Sequence, residues 1–167
     1  MTARRPVAYL TPAIWLMVPV MAVNIGFAAL LPAAFQPEIF WAGIPAWIAW
    51  PENTLRILMF AVCAVLPLRR RGAAAGWVVY LAGLACYGAA WGALILAPQS
   101  TWAMGAAGFL APAYTPILWL IGVGLIADRP VFSQAPRRRW IGLYAALCAG
   151  FLVAHVAHAA LVYSRLP

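Results

Sequence analysis

AAAGWVVYLAGLACYGAAWGALIL, residues 73–96, carries no charged side chain and is separated only by Gly72 from the triplet Arg69-Arg70-Arg71. About 20 apolar residues in helical form cross a bilayer, since each adds about 1.5 Å and the hydrocarbon core is about 30 Å thick. The stretch therefore reads as a membrane helix with arginine anchors at one boundary. Gly72-xxx-Gly76 and Gly88-xxx-Gly92 let other backbones come close, which places this helix centrally and suits a homo-oligomer. Tyr80, Leu84, Tyr87 and Trp91 fall on one aromatic face.

The rest of the chain agrees. It is 66% hydrophobic and 8% charged, where a soluble domain carries about 25% charged residues. The net charge of +8 comes from arginines and no lysine, and they lie at the ends of apolar runs. No basic stripe is interleaved with exposed aromatics, so the partner is the lipid bilayer and not nucleic acid. Cys63, Cys86 and Cys148 fall in separate apolar segments with no metal-binding spacing, and read as small buried hydrophobes. Arg4 and Arg5 precede an uncharged run over residues 7–35. That run is too long for a signal-peptide core, and reads as a retained first helix.

Five spans follow: 12–34, 52–68, 73–96, 104–127 and 140–163. The expected fold is one all-α integral membrane bundle of five transmembrane helices, with a short outer interfacial segment between the first two. Pro19 should kink the first span, and Asn24 lies near its middle. Residues 36–51 hold Phe40, Trp41, Trp47 and Trp50 with three prolines, a composition for the interface or for a lid. Pro51 fits the first position of the second span. Pro112 and Pro116 interrupt the fourth and flank Tyr114. Arg4, Arg5, Arg69–71, Arg129 and Arg137–139 fall on one side of this topology, with Arg56 and Arg165 toward the other. The positive-inside rule then puts the N-terminus in the cytoplasm and the C-terminus outside a bacterial cytoplasmic membrane.

Depth brings the scarce polar residues together. Glu52 and Arg56 open the second span from the outer side. His155 and His158 are about 15 and 18 residues up the last span, also in the outer half. Tyr87, Trp91 and Tyr114 reach similar levels. Glu52 and Arg56 at i,i+4 form a surface ion pair or the rim of a pocket, two readings that composition leaves open. The two histidines lack a clear set of further metal ligands, so no metal or other cofactor is expected. There is no Ser-His-Asp set, phosphate loop or Asp-rich motif, which leaves acid–base chemistry.

At Trp50-Pro51-Glu52-Asn53 the chain resembles small integral-membrane terpene cyclases, which pair Trp and Glu beside a helix start. Here Pro51 separates the two. The resemblance implies that a carboxylic acid protonates an alkene or epoxide, with aromatic faces stabilising the carbocation. The expected catalytic residues are Glu52, His155 and His158. Asn24, Trp50, Asn53, Arg56, Tyr87, Trp91 and Tyr114 are expected to bind an isoprenoid-like apolar substrate. Glu52 near a helix N-terminus with Arg56 one turn on favours the ionised form, so the acid role needs either burial or a proton from the histidines. The alternative is a non-enzymatic protein: a lipid or small-molecule binder, a transporter, or an accessory subunit of a larger membrane complex.

Overall fold

The computed structural model describes residues 11–69 and 71–166. Arg4, Arg5 and Arg70 lie outside the described residues. The architecture is helical, in order α1 (Val18–Phe27), α2 (Pro37–Phe40), α3 (Ala46–Val65), α4 (Ala74–Leu96), α5 (Thr101–Met104), α6 (Ala106–Phe109), α7 (Ala111–Tyr114), α8 (Pro116–Ile126) and α9 (Arg137–Tyr163). Four segments are long and apolar enough to cross a membrane: Ala13–Leu30, Ala46–Val65, Ala74–Leu96 and Arg137–Tyr163. Many large apolar side chains, such as Ile25, Trp50, Val78 and Val153, point outward. The chain is an integral membrane protein.

Two expectations about helices are corrected. Residues 104–127 do not form one span. They are divided among α5 to α8, with the longest apolar stretch at Ala111–Ile126. Gly105 is extended and ends α5, while Pro112 and Pro116 each sit in the first turn of a new helix. A missing N–H costs nothing there, so each proline restarts the helix instead of kinking it. The second correction concerns Pro51, which lies inside α3 and not at its start. Pro45 caps the helix, so α3 begins six residues earlier than expected.

The first span is likewise composite: a 3-10 turn Ala13–Met17, then α1, then a 3-10 turn Ala28–Leu30. Three residues beyond Leu16 stands Pro19, which has no N–H to offer. The hydroxyl of Tyr80 on α4 donates to the Leu16 carbonyl instead, at 2.6 Å.

At one end of the bundle the segment after α3 is extended and bonded on both sides. Ala13 N–H donates to the Leu66 carbonyl and Leu68 N–H to that of Thr11. On the other side Arg69 N–H donates to Ile126 and Asp128 N–H to Pro67. Gly72 then turns with φ +70° into α4. Arg137 donates to the carbonyls of Ala127 and Gly124, so this arginine caps the C-terminus of α8, whose last carbonyls have no helical partner.

The tightest packing joins α4 to α8. A Cβ on Gly83 would collide with the backbone nitrogen of Trp119, and one on Gly122 would lie 2.5 Å from Tyr80 backbone. Gly76 meets Ile126 in the same seam, whereas Gly88 and Gly92 have nothing within 4 Å. Of the two small-residue pairs, only Gly76 therefore works inside this bundle. Packing of α3 against α9 forms the other half of the core, through Met59, Cys63, Cys148 and Phe151.

Candidate functional site

Two helices supply the polar centre. On α3, Ile48, Glu52, Met59 and Cys63 are the buried positions, a helical stripe that carries one carboxylate into the core. On α9 the buried stripe includes Tyr144, Phe151 and His158, with His155 at its edge. Where the stripes meet, Glu52 and His158 are wholly buried.

Every oxygen of Glu52 is occupied. Oε1 accepts from Arg56 Nη2 at 2.6 Å and lies 2.9 Å from His155 Nδ1. Oε2 lies 2.6 Å from His158 Nδ1. The remaining nitrogen of His158, Nε2, is 2.9 Å from the Phe40 carbonyl. A carbonyl only accepts, so His158 carries a proton on Nε2. Its Nδ1 and Glu52 Oε2 must then hold one more proton between them, either on the imidazolium or on the carboxyl group. Oε1 already accepts from Arg56, so His155 donates from Nδ1–H. In the neutral imidazole that fixes the His155 tautomer and leaves Nε2 with a free lone pair. Nε2 of His155 makes no hydrogen bond to the described residues.

Aromatic rings flank both imidazoles. Phe40 and Trp41 lie 4.4 and 4.5 Å from the His158 ring. Phe151 stacks on His155 at 5.2 Å, and the Arg56 guanidinium lies 5.3 Å above the same Phe151. Positive charge on any of these groups faces a π cloud.

The centre forms one wall of a cavity of about 400 Å³. Arg56 and His155 line it, whereas Glu52 and His158 stand behind them. Of the residues expected to bind substrate, Asn24, Arg56, Tyr87 and Trp91 line the cavity. The Tyr87 hydroxyl donates to Asn24 Oδ1, which joins α4 to α1. Trp50 is 74% exposed on the outer face of α3. Asn53 donates to the Ala49 carbonyl of its own helix. Tyr114 is on the surface, its hydroxyl bonded to Ala107. None of these three borders the cavity.

Sequence reasoning missed most of the wall. Phe27, Phe35, Phe40, Phe60, Phe109 and Trp119 contribute rings to the cavity. Phe60 stands one turn after Arg56, a spacing that could have marked it. Phe35 and Phe109 come from short irregular segments whose facing no helical period describes. The indole N–H groups of Trp91 and Trp119 are buried without a partner, although both residues belong to the cavity wall. Among the described residues no group of three His, Cys, Asp or Glu side chains is arranged to hold a metal ion. The two imidazoles approach Glu52 as hydrogen-bond partners, each facing a carboxylate oxygen with Nδ1.

No protein-family model, curated protein or solved structure matches this chain.

Proposed function

We propose that this chain is a membrane-embedded enzyme that moves a proton on an isoprenoid-like apolar substrate, with His155 as the group that takes and returns it. One observation carries the reading: His155 stands on the cavity wall while its Nδ1–H is pinned 2.9 Å from the carboxylate of a wholly buried Glu52. A histidine held this way presents Nε2 as a base, and the carboxylate behind it stabilises the imidazolium that forms. Glu52 and His158 act through His155 and touch no substrate.

The resting base selects the chemistry. An unactivated alkene needs a much stronger acid than an imidazolium, so the substrate carries an activating oxygen. A C–H bond between a carbonyl and a β,γ double bond breaks toward Nε2, and its electron pair moves onto the oxygen as a dienolate. The Nε2–H then returns the proton at the γ carbon, and the double bond has shifted into conjugation with the carbonyl. Arg56 on the same wall offsets the developing negative charge. The cyclase-like reading thus narrows to an isomerase on an oxygenated chain.

The arginine excess at one end supports a cytoplasmic N-terminus and an outside C-terminus, a reading that takes the α5 to α8 segment as a fifth crossing. Gly88 and Gly92 remain open to a second copy in the membrane.

Purified protein in D2O, supplied with a ten-carbon linear isoprenoid β,γ-unsaturated ketone, tests the activity. The wild type should form the conjugated ketone with deuterium exchanged in at the α and γ carbons, and His155→Ala should lower that rate by roughly 10²–10⁴-fold. Binding without exchange would make the chain a non-enzymatic binder. Equal exchange by wild type and variant would remove His155 from the reaction.

A further inference from the structure

A second cavity, of about 440 Å³, lies beyond the first. Its wall includes Leu94, Ala103, Met104 and Tyr163, and it reaches Ser164 and Leu166 at the end of the bundle opposite the arginine clusters. Phe35 and Phe109 line both cavities. Their rings stack at 4.4 Å with 25° between planes, and both are buried. This stacked pair is thus common to both walls.

We propose that the second cavity binds the apolar tail of the substrate whose oxygenated end lies at His155, and that Phe35 and Phe109 form the gate between them. This rests on the proposed proton-transfer function. Three observations carry it. The size comes first: at about 30 Å³ per heavy atom the first cavity holds only a short chain of roughly 13 atoms. The second cavity doubles that capacity. Chemistry comes next, because the second cavity borders a buried apolar cluster of Phe35, Leu94, Ala103, Phe109 and Val162, which suits hydrocarbon. It contains no His, Cys, Asp, Glu or Arg on its wall, so it offers no second reactive centre.

The last observation is where the gate rings are mounted. Phe35 belongs to the 3-10 turn Ala33–Phe35, between Pro32 and Pro37. Phe109 ends the one-turn helix α6. Neither ring is carried by a long helix, although each packs against one, Phe35 on Trp91 of α4 and Phe109 on Tyr163 of α9, so opening the gate exchanges those ring contacts for contacts with the ligand. The ligand class is a linear, mostly hydrocarbon chain longer than the first cavity, with one acceptor oxygen at its head.

Photo-cross-linking tests the assignment with two probes, linear isoprenoid ketones of ten and twenty carbons, each bearing a diazirine at the tail end. In wild-type protein in mild detergent, the ten-carbon probe should mark first-cavity residues such as Met21 or Phe60. The twenty-carbon probe should mark Ala103, Met104 or Tyr163. Ala103→Trp, which fills the second cavity, should cut labelling by the long probe at least tenfold and leave the short probe unchanged. Ser164→Trp, at the exposed mouth, should shift the same ratio in the same direction without touching the core. Short-probe labelling in the first cavity with long-probe tails found only on lipid-facing residues would overturn the second site and leave the proton-transfer reading standing. Absence of either probe from the first cavity would overturn both.

Discussion

Between Glu52 Oε2 and His158 Nδ1 there is room for one proton and no way to do without it. The Phe40 carbonyl holds His158 in the Nε2–H form, and two bare acceptors at 2.6 Å would repel. Nitrogen-15 NMR should show His158 protonated at Nε2 and His155 with an unprotonated Nε2; the opposite assignment for His155 would remove its base. Removing the carboxylate charge is expensive here. Glu52→Gln leaves the proton at His158 without its buried carboxylate partner, and breaking a buried pair in this way costs about 3–5 kcal/mol, whereas Arg56, 34% exposed, loses a screened partner and adds little. A large fall in the melting temperature in detergent is expected. His155→Ala should cost less, because its side chain is 22% exposed and water can reach the vacated oxygen. Trp119→Phe has the opposite sign for stability. It deletes an unpartnered buried donor, so the melting point should hold or rise, while affinity for an oxygenated ligand falls relative to the matching hydrocarbon.

Elements show which parts of this design were legible in the sequence. Helical period and depth were enough to send Glu52, Arg56, His155 and His158 toward each other, because α3 and α9 are regular and each polar residue sits on the buried stripe or at its edge. Tyr87, Trp91 and Asn24 followed for the same reason. Trp50, Asn53 and Tyr114 did not, since nearness along the chain to Glu52 or to a proline fixes height and not facing. Pro51 misled about the start of α3: it looks like a first-turn proline, but Pro45 already fills the capping position. Glycines carry a similar ambiguity, because a spacing of four names two candidate seams and contact chooses one. Gly83→Ala should destabilise by about 1–3 kcal/mol, since the new methyl would force α4 away from the Trp119 backbone. Gly88→Ala adds a methyl to open space and replaces a poor helix former, so a gain of up to about 1 kcal/mol is expected in the monomer. Paired melting curves of the two variants would test the seam; equal losses would show that Gly88 also packs against a neighbour.

At the scale of the whole molecule, the two ends differ in charge and in construction. One end gathers Arg69, Arg71, Arg129 and Arg137–139 around the extended segment 66–69, which bonds to residues on both sides of it. The other is closed by Arg165, which donates to the Ala42 and Gly43 carbonyls where Gly43 turns with φ +62°. The α5 to α8 segment runs from one end to the other: Tyr163 donates to the Met104 carbonyl near its start, and Asp128 bonds to Pro67 just past its finish. If that broken segment crosses the bilayer and the arginine-rich end is cytoplasmic, Ser100 and Ser164 face outward and Ser133 inward. Single Ser→Cys substitutions at the three positions, treated in intact cells with a membrane-impermeant maleimide, distinguish the arrangements. Labelling at 100 and 164 but not 133 is expected. Labelling at 100 and 133 but not 164 would mean that α5 to α8 enters and returns on one side. Labelling at 133 alone would invert the whole protein and put the cavity mouth in the cytoplasm. The native thiols do not confuse the reading: Cys63 and Cys148 are buried in the core, while Cys86, expected to be buried, is exposed but lies in the middle of the apolar helix α4, where a membrane-impermeant reagent does not reach. An outward-facing mouth would let an apolar chain enter from the outer leaflet, whose hydrocarbon would in that arrangement meet the exposed rings of Trp47 and Trp50 on α3.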